Sequence, residues 1–405
     1  MHEIDRLLAR ILELDASDLY LTVGSPPVFR VEGVATPTDE PELTPEDTVA
    51  LAEAAMRDPR QREEFARIKE MNLALSLEGR GRFRCNIFCQ RNSVGLVIRQ
   101  IKLNVPTVDG LGLPEVLKDI ALTQRGLVLV TGATGSGKST TQAAMIDHRN
   151  STTPGHIVTI EDPIEFMHQH KKSIVTQREV GFDTLSFHEA LRNTLRQAPD
   201  VILIGEVRDE VTMEAAITFA ETGHLCLATL HSNNANQTIE RILNFFPAIR
   251  HNQIYLQLSL NLRGIISQRL IRGTNGRRVV ALEILLDTPR VKDLIKKGEV
   301  DTLKEALEQG TNEGCQTFDE SLFRLARENR IDIEQALIHA DSANNLRLRL
   351  RNEEIANGHE QKEMPSFRIQ GQRGFGARGS AMSASSLAAS GGSQRAGSQA
   401  PKPNG

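Results

Sequence analysis

The chain has 405 residues, enough for two or three domains at roughly 150 residues each. Hydrophobic residues make up 39% and charged ones 25%, the balance of a protein able to bury a sizeable core. The formal charge of −4 averages two unlike parts: residues 371–405 carry Arg373, Arg378, Arg395 and Lys402 with no acid, which leaves −8 on the remainder. An acidic body argues against a protein built mainly to coat nucleic acid, which presents a basic face. No apolar run approaches the ~18 residues of a membrane span, and the charge-studded opening lacks the form of a signal peptide. The four cysteines, Cys85, Cys89, Cys226 and Cys315, form no C-x-x-C pair. Neither a zinc knuckle nor a disulfide framework is expected, and a reducing cytoplasm is.

Ile4, Leu7, Leu8, Ile11 and Leu12 recur at helical spacing and predict an amphipathic opening helix. Leu19, Leu21 and Val23 then alternate as in a strand, closed by the turn residues Gly24, Ser25, Pro26 and Pro27. Thr44, Pro45 and Asp47 have the pattern of a helix start, with Thr44 as cap, Pro45 in the first position and Asp47 bonding back. Further on the pattern has period two: Phe83, Cys85, Ile87 and Cys89 share one face, and Arg82, Arg84 and Asn86 the other. That makes both cysteines small core residues. Residues 104–114 read as a linker. Beyond it come short unbroken apolar runs at 127–130, 157–160, 201–204 and 225–230, each followed by a polar loop and a helical pattern. Such runs predict strands buried on both faces, hence a largely parallel sheet covered by helices. From about 250 to 343 the pattern reads as helical, with Leu256, Leu260, Ile265 and Ile266 on spaced faces. In residues 371–405, Gly, Ser and Ala supply 22 of 35 positions, too little apolar content to fold, and a disordered tail is expected.

The chemistry concentrates at the ends of the four apolar runs. Gly132, Ala133, Thr134, Gly135, Ser136, Gly137, Lys138 and Ser139 match the phosphate-binding loop, between a predicted strand and a predicted helix. Its glycines let backbone N–H groups wrap phosphates, Lys138 reaches the outer phosphates, and Ser139 (followed by Thr140) holds Mg²⁺. Hydrolysis also needs a carboxylate near the metal and a group that positions water. Glu206 closes the 201–204 strand, with Gly205 where an aspartate is usual, and Glu161, Asp162 and Glu165 follow the 157–160 strand. The carboxyl ends of such strands are where ligands bind in doubly wound sheets. His231 closes the last run and is read as a sensor of the γ-phosphate, with His224 assisting it. His168 and His170 are read as a solvated surface segment, since no metal set completes them.

Together these residues resemble a family. The 132–139 loop, the Thr159–Phe166 stretch with its acids, the 202–209 stretch through Glu206 and Arg208, and Thr229 to His231 look like the Walker A, Asp box, Walker B and His box of the secretion ATPases. Those are hexameric motors of type II and type IV secretion and of type IV pili. The opening stretch Ala16 to Thr22 resembles the pilus retraction branch, and the lack of a cysteine quartet and of a long N-terminal extension argues against the extension motors. The resemblance implies a PAS-like mixed α/β domain over 1–105, a linker at 106–118, a RecA-like P-loop ATPase domain with a helical C-terminal part over 119–355, and a tail over 356–405. It implies ATP and Mg²⁺ as cofactors, with Gly132, Thr134, Gly135, Ser136, Gly137, Lys138, Ser139 and Thr140 holding nucleotide and Ser139 and Glu206 the metal. Glu165 would be the general base, His231 the γ-phosphate sensor, and Arg84 and Arg99, on adjacent strands, the arginines brought onto the phosphates by domain closure. After Thr288 and Pro289 the segment from Arg290 to Gly298 departs from that of the principal retraction motors and resembles the accessory ones.

The expected function is therefore a hexameric ATP-driven motor that powers or assists pilus retraction. Its expected partners are a principal retraction ATPase and an inner-membrane platform protein, and its location the cytoplasmic side of that membrane. The alternative is a coupling subunit that binds ATP and stacks on the principal motor. A nucleic-acid translocase built on the same core is disfavoured by the acidic body, although the Arg373-Gly374 and Arg378-Gly379 pairs offer weak contacts.

Overall fold

The computed structural model describes residues 3–77, 80–102 and 104–356; the expected tail and its Arg-Gly pairs lie outside them. Two sheets organise the chain. The first comprises β1 (Asp18–Leu21), β2 (Val28–Val31), β3 (Val34–Pro37), β4 (Glu70–Leu77), β5 (Gly81–Gln90) and β6 (Ser93–Ile101), in the order β3-β2-β1-β6-β5-β4. All its neighbours are antiparallel. One face is apolar: Met71, Leu73 and Leu75 alternate with exposed Asn72, Ala74 and Ser76, as the two-residue pleat requires. That face packs on Ile4, Leu7, Leu8 and Ile11 of α1 (Glu3–Glu13) and on Leu51, Ala52 and Ala55 of α2 (Pro45–Ala55). The start of α2 has the expected form: Thr44 accepts from the Asp47 N–H at 3.2 Å, and Asp47 accepts from the Thr44 N–H at 2.9 Å. A third helix, α3 (Pro59–Ile68), precedes β4.

One expectation fails on this sheet. Cys85 is fully buried, its thiol pushed up to about 12 by burial, but Cys89 is exposed. The face it shares with Cys85 runs out of cover as β5 approaches the Arg91–Asn92 turn.

The second sheet comprises β7 (Gly126–Thr131), β8 (Gly155–Glu161), β9 (Ser173–Glu179), β10 (Val201–Ile204), β11 (Leu225–Leu230), β12 (Leu262–Arg272) and β13 (Arg278–Leu286), ordered β13-β12-β7-β11-β10-β8-β9. Every pair is parallel except β12 with β13. Its central strands β7, β10 and β11 are buried at every position because alternate residues feed different layers. Leu127 and Leu129 belong to one core with α6 (Phe187–Thr194), α7 (Glu210–Glu221) and α8 (Ala235–Asn244), while Val128 and Val130 belong to another with Leu117 and Ile120 of α4 (Val116–Leu122) and Ala144 and Met145 of α5 (Lys138–Thr152). Val108 and Leu113, in the segment expected to link the domains, are buried in that second core.

The helical reading of 250–343 needs correction. It holds for α9 (His251–Asn261) and, after residue 286, for α10 (Pro289–Lys297), α11 (Leu303–Gln309), α12 (Phe318–Arg327), α13 (Ile333–His339) and α14 (Ala343–Ala356), but β12 and β13 form a hairpin between them. Both strands are buried on two faces, so periodicity alone does not separate them from a buried helix. The Asn275-Gly276 pair between them was the available hairpin signal.

Candidate active site

At the carboxyl end of β7 the chain turns through residues 132–137 into α5. Gly132 has φ 145°, and a Cβ there would lie 2.5 Å from the Gln268 carbonyl and from Ser136 Oγ, so only glycine lets the loop pass this close to β12. Lys138 is 8% exposed, and its Nζ donates to the carbonyls of Gly132 and Ala133 at 2.9 Å each. Burial lowers its pKa against the opposing charges of Glu206 and Glu165. Three buried polar atoms around the loop, Ser136 Oγ, Gln142 Nε2 and Gln268 Oε1, have no partner within the protein. Polar atoms buried in this way are normally bonded, and their clustering at a glycine-rich loop fits a polyphosphate ligand.

Neighbouring strands bring their ends to the same place. Glu206, just past β10, has Oε1 3.1 Å from His231 Nε2, and its Oε2 accepts from Arg208 at 2.7 Å. Burial opposes the ionisation of Glu206, but the Arg208 hydrogen bond and the charges of Arg208, His231 and Lys138 outweigh it and hold the carboxyl below its ordinary value. His231, past β11, is lowered by burial and by Lys138, with Glu206 opposing. Gly205 replaces the usual aspartate for a packing reason: a Cβ there would stand 3.1 Å from Glu161 Cα and from the Ile160 carbonyl on β8. Glu161, closing β8, accepts from Thr159 Oγ1 at 2.6 Å and Gln177 Nε2 at 3.3 Å. Burial nonetheless pushes it up to about 7, helped by Glu165 and Glu179.

A cavity of about 630 Å³ collects Thr134, Gly135, Gly137, Lys138, Ser139, Thr140, Glu165, Glu206 and His231. Gly132 and Ser136 instead line an adjoining cavity of about 620 Å³ on the β12 side of the loop. Arg84 and Arg99 line neither. They occupy a third cavity of about 550 Å³, which shares Thr140, Pro163, Glu165 and Phe166 with the first. The two arginines are direct cross-strand partners on β5 and β6, and each is held by an acid: Arg99 by Asp18 at 2.7 Å, Arg84 by Glu179.

Two histidine readings change. His224 precedes β11 whereas His231 follows it, so the strand's six residues, roughly 20 Å, separate them, and His224 does not assist His231. His168 is no solvated residue. Its ring lines the main cavity, its Nδ1 is buried without a partner, and burial lowers its pKa to about 4. His170, by contrast, is exposed. Gln142, Gln177, Glu179 and Gln268 also line or support the site, and none of them belongs to a sequence motif. Arg208 stood beside the Walker B acid and was the most legible of the missed groups.

A glycine-rich loop leading from a parallel strand into a helix, with carboxylates and a histidine delivered by the neighbouring strand ends, defines a P-loop nucleoside triphosphatase. Residues 2–383 match the family described as Type II/IV secretion system protein. The chain is 54% identical over 350 residues to the type IV pilus ATPase PilU of Pseudomonas aeruginosa, covering 86% of this chain and 91% of that protein. It is 45% identical over 334 residues to the type IV pilus retraction ATPase PilT of the same organism, covering 82% and 97%. A crystal structure of the pilus retraction motor PilT with bound ADP matches it with a TM-score of 0.80 at 42% identity, over 86% of this chain and 100% of that one. The chain belongs to the type II/IV secretion system protein family and is an ATPase.

Proposed function

We propose that the chain is a Mg²⁺-dependent ring motor, hexameric in its working form, that assists type IV pilus retraction beside a principal retraction ATPase. In this reading it acts from the cytoplasmic side of the inner membrane, on the pilus platform protein. Residues 1–105 form its mobile N-terminal domain and 119–355 its ATPase domain, joined by 106–118. One observation carries the ATPase part: Lys138, Glu165, Glu206 and His231 converge on one cavity from four separate strand ends. The accessory role rests on the Arg290–Gly298 segment, which resembles that of the accessory motors.

In this proposal the backbone N–H groups of 132–139 hold the phosphates, and Lys138 exchanges the carbonyls of Gly132 and Ala133 for phosphate oxygens. Ser139 and Glu206, which line the same cavity, would hold Mg²⁺. Among the described residues no three His, Cys, Asp or Glu side chains are grouped to hold a metal; Mg²⁺ commonly takes one or two protein ligands and draws the rest from phosphate and water. When bound, it neutralises charge on the transferring phosphoryl group. Glu165 takes the proton of the attacking water, and His231 contacts the γ-phosphate. Arg84 and Arg99 reach the developing charge only after leaving Glu179 and Asp18.

Glu165→Gln is the test. It should keep ATP binding and lower turnover by about 100-fold or more, within the range general-base removal produces, and cells carrying it should retract pili more slowly with the principal motor intact. Wild-type turnover in the purified variant would remove Glu165 from the base role; unimpaired retraction despite lost turnover would separate the motor from its hydrolysis.

A further inference from the structure

We infer that Glu179 is a positioning residue that ties Arg84 on the N-terminal sheet to the segment carrying Glu165, so that the placement of that sheet sets the placement of the base. The inference rests on the roles proposed above for Arg84 and Glu165. Glu179 closes the edge strand β9 and is 2% exposed. Its Oε1 accepts from Arg84, and its Oε2 accepts from the N–H of Ile164 at 3.2 Å. Ile164 is itself 2% exposed and immediately precedes Glu165. One carboxylate thus joins a side chain of the first sheet to the backbone beside the base.

The neighbouring contacts give this joint its direction. Two residues earlier on β9, on the same face, Gln177 accepts from the His168 N–H at 2.8 Å and donates to the Phe166 carbonyl at 2.9 Å. Alternate residues of one strand therefore hold positions 164, 166 and 168 of the segment after β8. On its other side the same segment pairs with the N-terminal sheet: the Met167 N–H donates to the Lys102 carbonyl at 3.1 Å, just past the end of β6. Glu165 lies in a span strung between β9 and the first sheet.

Among the described residues Arg84 is the one cation within 4.0 Å of Glu179. A carboxylate this deeply buried is costly to leave unpaired. When Arg84 withdraws toward phosphate, the Glu179 carboxylate must find other compensation, and among the described residues the one other group it holds is the Ile164 N–H. Movement of Arg84 is thereby transmitted to the backbone next to Glu165.

The experiment is a double-mutant cycle on the full-length protein with Arg84→Gln, Glu179→Gln and both, reading kcat, KM for ATP and the Kd of a fluorescent ADP analogue. Each single variant should lower kcat about tenfold or more with Kd within about threefold, and the pair should be no slower than the worse single variant, because residues acting as one unit are not additive. Rates that multiply, or a Glu179→Gln enzyme with unchanged or raised kcat, would overturn the inference. Should Glu179→Gln lower the melting temperature enough to blur the rates, Glu179→Asp keeps the charge but is too short to reach both partners, and the same cycle applies to it. Glu165→Gln run alongside separates the two readings: an inactive Glu165→Gln with an additive cycle sinks only the coupling, and an active one with a non-additive cycle sinks only the base.

Discussion

Glu283 makes a quantitative prediction about stability. It lies on β13, 4% exposed. Its Oε1 accepts both the Ala235 N–H at 2.7 Å and the Ser267 hydroxyl at 3.2 Å, and Ser267 in turn accepts from Thr131, the last residue before the phosphate loop. Burial pushes the carboxyl from 4.5 up to about 7: the bonds from Ala235 and Ser267 and the charge of Arg269 oppose the rise, and Asp341 adds to it. The folded protein therefore keeps this proton up to about pH 7, whereas the unfolded chain releases it near 4.5. The stability that goes with it is intact below pH 4.5 and drains away as the pH rises through 7. At about 1.4 kcal/mol for each pH unit of the gap, the loss totals about 3 kcal/mol. Glu283→Gln retains an acceptor oxygen for Ala235 and Ser267 and cannot ionise. It should be more stable than wild type by about 2–3 kcal/mol at pH 8 and no more stable at pH 4.5. Urea midpoints followed by circular dichroism between pH 4.5 and 8.5 measure this difference, from which the similarly raised Glu161 cancels. Parallel pH profiles for the two proteins would refute the reasoning.

Three further outcomes follow from single contacts. Arg208→Ala removes the 2.7 Å partner of Glu206, so the acid limb of the ATPase pH profile should move to higher pH; an unmoved limb would mean that Glu206 does not set it. Gly205→Asp places a Cβ 3.1 Å from backbone atoms of β8 and should cost about 1–3 kcal/mol by overpacking, visible as a lowered melting temperature. Thr44→Ala breaks the reciprocal cap of α2 and should cost about 1 kcal/mol in urea unfolding, partly restored by Thr44→Ser.

What the sequence disclosed follows from how each signal is written. The runs at 127–130, 157–160, 201–204 and 225–230 all fall within parallel strands, because burial on two faces leaves little room for polar residues beyond the hydrogen-bonded Thr159 and Thr229. The phosphate loop was legible because its glycines and Lys138 answer to local backbone geometry. Strand β9 was not. Only Ile174 and Val175 are apolar in it, since it sits at the sheet edge and spends Gln177 and Glu179 on holding the neighbouring segment. For the same reason the partners of Arg84 and Glu161 were hidden: Glu179 is 95 positions from Arg84 and Gln177 is 16 from Glu161, and neither pairing leaves a periodic trace. The β12–β13 hairpin fell to the ambiguity between buried strand and buried helix.

The two arginines are equivalent in the sequence pattern and unequal in the structure. They face each other across β5 and β6, and like charges set directly opposite need separate neutralisation. Arg99 takes Asp18, which belongs to its own sheet and is its cross-strand partner on β1. Arg84 takes Glu179, which belongs to the other sheet. A rigid shift of the N-terminal sheet carries Arg99 and Asp18 together and leaves their pair intact, but it breaks the pair between Arg84 and Glu179. Of the two, only Arg84 can report domain position to the ATPase sheet, and Arg99 can reach phosphate only by giving up a partner that travels with it. In the proposed mechanism the two side chains would therefore have different thresholds for engagement. Arg84 would be released by the domain movement itself. Arg99 would have to be drawn from Asp18 by a charge already close at hand.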